Sequence, residues 1–263
     1  MTLFDTHAHL DQLPDVEAVI DHARGVGVVG IVAVGTDVAS NEKTLHIADK
    51  WKGLVYPAIG VHPCHLVGCD AAAIEREVRF VEDNLSSACA IGEVGLDYHK
   101  RTLTDVSKEA QREVFARVLA LAASASRPVL VHSRYAWTDA LRLVLESHVG
   151  SAVFHWFTGF SGVLHGIMDA GFYVSATPAA EYHEEHRRAV RAVPLEQLLL
   201  ETDSPVWYGR DARYESRPAD VVRSLKAVAQ LRAESEETLA VTTTRAARRL
   251  LGCTVSPVIE EGT

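Results

Sequence analysis

His7 and His9 stand two residues apart in Thr6-His7-Ala8-His9, near the start of a chain of 263 residues. In an extended strand, residues i and i+2 point to the same side, so both imidazoles can face one ion. The pair alone is short and unspecific, since two histidines at a strand edge with no ligand role satisfy it equally well. Four further metal-binding side chains follow at wide intervals: Glu93, His132, His155 and Asp203. Each closes a short apolar run, as His7 and His9 do, so the six groups fall at the ends of five expected strands. Scattered surface histidines would not be distributed in this way.

Glu93 sits in Ala90-Ile91-Gly92-Glu93-Val94-Gly95-Leu96-Asp97. A carboxylate in so apolar a run is costly to bury unless it is paired or metal-bound. Its two oxygens can bridge two ions; the bland alternative is a salt-bridged core glutamate. Four histidines and two carboxylates exceed the needs of one tetrahedral ion but suit two ions sharing a bridge. Nitrogen-rich ligation favours Zn, Mn, Fe or Co, and Mg or Mn serves if phosphate oxygens complete the shell. Asp203, in Leu200-Glu201-Thr202-Asp203-Ser204-Pro205, can take the proton of a metal-bound water as attack begins. The competing reading is a helix N-cap aspartate ahead of Ser-Pro. Glu201, two residues back, should face the same side, as an outer carboxylate or part of a further cation site.

The elements that must position these groups are legible as eight apolar runs. They span Leu3–His9, Val28–Gly35, Val55–His62, Cys89–Leu96, Pro128–His132, Ser151–Trp156, Phe172–Ala176 and Leu198–Asp203. Most lack polar alternation, as strands buried on both faces should. Amphipathic stretches separate them: Phe115, Val118, Leu119 and Ala122 share one helical face, and Val221, Leu225, Val228 and Ala229 share another. Strict strand–helix alternation predicts an α/β fold, a single-domain (β/α)8 TIM barrel of eight parallel strands. An open doubly wound sheet is the competing architecture, but no G-x-G-x-x-G follows the first strand. An extra C-terminal helix is expected over 235–251. The barrel should occupy 1–252, with 253–263 as a polar tail.

Composition bounds the function. The formal net charge is −9, with 26 Lys and Arg against 35 Asp and Glu. That argues against coating nucleic acid or an acidic membrane through a broad basic face. A local metal-filled cleft remains compatible with it, because two divalent ions outweigh two carboxylates. The four cysteines show no C-x-x-C or zinc-finger spacing, and a Cys64–Cys69 disulfide is disfavoured by the expected reducing compartment. No signal peptide or membrane-spanning run is discerned. The expectation is a cytoplasmic monomer.

DTHAHLD, IGVHP, AIGEVGLDYH, VHSR, FHWFTG and LETDSP occur in this order, and together they resemble the TatD family of metal-dependent deoxyribonucleases. The resemblance runs from Thr2 to about Gly252. It implies that His7, His9, Glu93 and Asp203 hold one ion, that Glu93, His132 and His155 hold a second, and that Asp203 is the base. It further implies hydrolysis of DNA phosphodiesters, from the 3′ end of single strands. His62 and Arg134, which neither shell requires, then become candidates to contact phosphate oxygens; a loop histidine and a surface ion pair are the alternatives. Two departures stand out. Ala246 occupies the place of an Asn usual in the family, which bears on local packing. Trp156 replaces a smaller residue beside His155, where it can narrow the cleft, stack on a base or pack in the core.

Tyr98, Trp156, Phe157, Trp207 and Tyr208 are the aromatics expected near the mouth, able to stack on unpaired bases. His65, His99, His183 and His186 read as surface or outer residues, and the stretch from Glu184 to Arg191 as a solvated helix face. Two other functions share the site: two-metal hydrolysis of another ester or amide, such as deacylation of an aminoacyl-tRNA, and a non-catalytic metal-stabilised scaffold.

Overall fold

Each of the eight apolar runs forms a strand. In the computed structural model, residues 1–252 are described, and the proposed tail, 253–263, lies outside the described residues. The strands are β1 (Leu3–Ala8), β2 (Val28–Val34), β3 (Val55–Ile59), β4 (Ala90–Asp97), β5 (Val129–Arg134), β6 (Ala152–Phe154), β7 (Tyr173–Ala176) and β8 (Leu198–Leu200). They pair in sequence order, all parallel. The ring closes between β8 and β1 through loop residues. The Asp203 amide donates to His7 O at 2.8 Å, the His9 amide to Ser204 O at 2.8 Å, and Ala8 and Ser204 form a parallel bridge. This is the (β/α)8 barrel expected from the alternation.

Strand side chains alternate between two apolar layers, as period 2 requires. Ile31, Ile91, Val131 and Leu200 belong to the layer shared with the surrounding helices. Val32, Ala58, Leu130, Val153 and Leu199 belong to the interior layer. The helices are α1 (Val16–Gly25), α2 (Val38–Lys50), α3 (Ala71–Asp83), α4 (Lys100–Leu103), α5 (Lys108–Ser124), α6 (Trp137–Glu146), α7 (Ser161–Asp169), α8 (Glu184–Ala192), α9 (Val221–Arg232) and α10 (Glu236–Leu250). Phe115, Val118, Leu119 and Ala122 of α5 are all buried, as are Val221, Leu225, Val228 and Ala229 of α9. Each large side chain so buried stabilises the fold by roughly 1.5–3 kcal/mol.

The extra helix α10 starts at Ser235, whose Oγ accepts from the Thr238 amide at 3.0 Å. Its Ala246, Ala247 and Leu250 join the interior layer and plug the end of the barrel away from the site. Ala246 is 1% exposed against apolar neighbours, so the departure from the family's usual Asn is absorbed by close packing.

Strand ends differ from expectation in ways that shape the site. β3, β6 and β8 stop at Ile59, Phe154 and Leu200, so His62, His155 and Asp203 lie on the loops that follow. β4 instead runs on to Asp97, which leaves Glu93 in mid-strand rather than at its end. The reason is unequal neighbours: β3 pairs only to Ile59–Ile91, whereas β5 continues alongside to Asp97–Arg134. Past Ile91 the β4 chain leans across, and the Glu93 amide donates to Gly35 O at 3.0 Å. Gly60 permits this approach, since a Cβ there would come within 2.6 Å of Gly92 C. Cys64 and Cys69 are free thiols, so no 64–69 disulfide forms. No helix among the described residues is long and apolar enough to cross a membrane.

Candidate metal centre

β1 carries His7 to the mouth of the barrel, His9 follows directly on its last residue, and the loop after β8 brings Asp203 against them. Asp203 takes a left-handed backbone, φ 51°, which Asp tolerates better than most residues. The His7 Nε2 lies 3.5 Å from Glu93 Oε2 and 3.6 Å from Asp203 Oδ1; the His9 Nε2 lies 3.6 Å and 3.5 Å from the same two oxygens. These separations are long for hydrogen bonds but suit donors arranged around one ion with bonds of about 2.0–2.2 Å. Among the described residues, neither ring nitrogen of the fully buried His7 has a hydrogen-bond partner. Leaving such groups unmade costs about 1–3 kcal/mol each, which a bound cation would offset. The His9 Nδ1 lies 2.9 Å from Val34 O and donates to it, so loss of the Nε2 proton leaves that lone pair facing the cluster. The donor set therefore fits a divalent ion.

Glu93 divides its two oxygens. Oε2 faces His7 and His9, while Oε1 lies 2.7 Å from His132 Nδ1 and 2.8 Å from His155 Nε2. Ligand atoms of His7, His9 and Asp203 fall within 4.8 Å of one another, and so do those of His62, Glu93 and His132. All six expected ligands thus converge, from β1, β4, β5 and the loops after β1, β6 and β8.

The electrostatics match an anionic bridge among cationic partners. Burial alone would raise Glu93, but His62, His155 and His132 outweigh it and hold the carboxyl well below its ordinary range. Burial likewise opposes ionisation of Asp203, yet His9 and His7 bring it below its usual value. Burial disfavours charge on His9, but Asp203 and Glu93 raise the ring to about 9. His7 is lowered, by burial first and by His155 next. Rings that carry protons beside two carboxylates are rings from which a divalent ion can displace protons on binding.

A supporting layer surrounds these groups. The Glu201 carboxylate, fully buried, lies 3.6 Å from His155 Nδ1 and accepts the Trp156 amide at 3.0 Å. Among the described residues Glu201 Oε2 has no hydrogen-bond partner, and His7, His155 and Glu201 form a third set of donors within 4.8 Å. Asp97 was not foreseen. Its Oδ2 lies 3.3 Å from His132 Nε2; burial opposes its charge, but His132 and the His99 amide bring it down to about 2. Asp5 was also missed, although it opens the DTHAHLD motif. Fully buried, it accepts from Thr202 N at 3.0 Å, Thr202 Oγ1 at 2.6 Å and His7 N at 3.3 Å. It ties β1 to the loop that holds Asp203.

A cleft of about 1190 Å³ opens over the cluster. His62 and Arg134 both line it. The His62 Nδ1 accepts the Cys64 amide at 3.1 Å, so the neutral ring carries its proton on Nε2, 3.5 Å from Glu93 Oε1. That tautomer offers a donor to the cleft rather than a lone pair. Arg134 ends β5 as an exposed side chain.

The family model described as TatD related DNase matches residues 4–252. The chain belongs to this family. It is 32% identical over 255 residues to the human deoxyribonuclease TATDN3, covering 93% of each chain. It is also 32% identical over 263 residues to the 3'-5' ssDNA/RNA exonuclease TatD of Yersinia pseudotuberculosis, covering 94% of this chain and 98% of that one. Among solved structures it resembles the TatD homologue YjjV of Escherichia coli, with TM-score 0.84, 25% identity, and coverage of 94% and 97%.

The structure corrects the remaining expectations for this TatD-family chain. Of the five aromatics expected at the mouth, only Trp156 lines the cleft, half-buried, with its ring 5.4 Å from that of Tyr208. Phe157 and Tyr208 are fully buried, and the Tyr98 hydroxyl donates to Asp139 at 2.7 Å. Trp207 is exposed outside the cleft lining. Residues in loops between strand and helix follow no periodicity, so their exposure is not readable from spacing. His186 is not an outer residue but a core one. Its Nδ1 donates to Phe157 O at 3.1 Å and its Nε2 accepts the Thr177 amide at 3.1 Å. The helix α8 is accordingly amphipathic, with His186, Ala189 and Val190 buried. His65 pairs with Asp37 at 2.9 Å, and His99 and His183 cap helices α4 and α8.

Proposed function

We propose that this TatD-family chain is a metal-dependent hydrolase of DNA phosphodiester bonds that removes nucleotides from the 3′ end of single strands, using two divalent ions. The observation that carries this reading is the division of the Glu93 carboxylate between two clusters of donors. His7, His9, Glu93 and Asp203 would hold one ion, and Glu93, His132 and His155 the other, with Mg, Mn or Zn as occupants. Bound there, the ions would supply Lewis acidity to a phosphoryl oxygen and lower the pKa of an attacking water.

The protein's own groups do the rest. Asp203, kept ionised beside His9 and His7, takes the proton from the attacking water. The His62 Nε2–H and the Arg134 fork orient non-bridging phosphate oxygens. Glu201 and Asp97 hold His155 and His132 in place. With a net charge of −9, the body of the protein repels a strand, which confines binding to the cleft. The named activities of the human and Yersinia relatives support the substrate class and the direction of attack.

The test is degradation of a single-stranded oligonucleotide labelled at either end, by wild type and Asp203→Asn, with and without chelator. The expected result is stepwise loss from the 3′ end that needs the ion and is abolished in the variant. Cleavage by metal-free protein, or by Asp203→Asn at the wild-type rate, overturns the reading.

A further inference from the structure

Three aromatic side chains not assigned any role above form a continuous ladder along one wall of the cleft. Tyr135 follows β5, Trp137 opens α6, and Phe160 precedes α7. The Tyr135 and Trp137 rings lie 5.8 Å apart, and the Trp137 and Phe160 rings 5.3 Å apart, both edge to face. All three line the same cleft as His132, His155 and Asp203. Tyr135 is 57% exposed and Phe160 66% exposed, so neither belongs to the core. Trp137 is half-buried, and Gly159 lets its indole lie close, since a Cβ there would come within 2.6 Å of that ring. Two cations flank the ladder: Arg134, 5.8 Å from the Tyr135 ring, and Arg188, whose guanidinium donates to Gly159 O.

A contiguous exposed aromatic patch in a cleft is unusual for a monomer's surface and marks a place where flat apolar groups dock. Tyr135 is held at φ 55°, a left-handed conformation that costs a bulky residue about 1–2 kcal/mol. One face of its ring lies on His99, with centroids 5.9 Å apart, and the side chain is otherwise open to the cleft. Single-stranded nucleic acid offers the matching chemistry: base faces for the rings and phosphates for Arg134 and Arg188. A duplex does not, because its bases are already stacked and paired.

We infer that Tyr135, Trp137 and Phe160 form a stacking platform for unpaired bases of the strand whose end lies at the metal centre, and that this platform selects single over paired strands. The inference rests on the nuclease reading and deepens it. The rings act by binding, so the platform sets KM and leaves the chemical step to the Glu93 centre.

The test compares the metal-loaded wild type with Tyr135→Leu/Phe160→Leu and with Tyr135→Phe. The substrates are a short single-stranded oligodeoxynucleotide, an abasic oligonucleotide of the same length, and bis(p-nitrophenyl) phosphate. The double variant should raise KM for the oligodeoxynucleotide by between about fivefold and a hundredfold with kcat retained. Tyr135→Phe should behave as wild type. The abasic strand and the small diester should not distinguish any of the three proteins. An unchanged KM in the double variant, or a wild type that binds abasic and normal strands equally, overturns the platform and leaves the nuclease reading standing. A wild type that cleaves the small diester but neither binds nor cleaves DNA overturns both.

Discussion

Asp97 Oδ2 lies 3.3 Å from the Nε2 of His132, whose other nitrogen faces Glu93. The two residues meet across neighbouring strands, two residues out of register, because β4 continues beside β5 after β3 has ended. A carboxylate behind a candidate ligand histidine fixes its orientation and raises its basicity. Asp97→Asn is expected to weaken divalent-ion affinity by about 10–100-fold with the fold intact, measured by metal titration alongside circular dichroism. Wild-type affinity in the variant would remove Asp97 from the site.

Glu93→Gln keeps the shape of the side chain but halves its capacity to accept. If Glu93 spans two ions, the variant should bind fewer ions per chain and lose more than about 100-fold in hydrolysis, beyond what an outer residue contributes. Elemental analysis of wild type and variant after dialysis gives the stoichiometry directly. Chelation of the wild type should abolish hydrolysis, and added Mn, Mg or Zn should restore it.

Arg134 is exposed at the cleft, so its removal should cost little stability. Arg134→Lys retains the charge but loses the two-pronged contact with phosphate. A loss of about 10–100-fold in kcat/KM, at an unchanged melting temperature, is the expected result. A stability loss with unaltered kinetics would make Arg134 structural.

His186 bears on acid stability. Burial lowers its pKa to about 4, against an ordinary histidine value near 6.5. The folded state therefore holds the neutral ring, with Nδ1 donating to Phe157 and Nε2 accepting from Thr177. The unfolded chain binds the proton first, so this contribution is complete above pH ~6.5 and is lost as pH falls toward ~4. It amounts to about 3 kcal/mol over that window. Urea unfolding across that range should show a smaller acid-side slope in His186→Gln than in wild type. Equal slopes would contradict the assignment.

Much of the fold was legible because both of its periods are strong. The apolar runs and the helical faces of α5 and α9 identify a barrel, and motif order identifies the family. Glu93 was recognised as out of place in an apolar run, and the six candidate ligands were picked out by residue type. Its mid-strand position was not legible, because that depends on β3 being shorter than β5. Asp97 and Asp5 were hidden for the same reason: their partners come from other elements. His186 looked solvated because its helix is highly charged, yet it turns inward toward the loops after β6 and β7.

By itself, the sequence determined which groups are available and which strands carry them, since residue type and period are local properties. Only the tertiary structure decided that Glu93 faces two clusters at once, that Phe157 and Tyr208 are core, and that Tyr135, Trp137 and Phe160 share a wall. Those relationships join residues from different strand–helix units. Their distances are set by barrel closure and by strand lengths on either side, which no local pattern encodes.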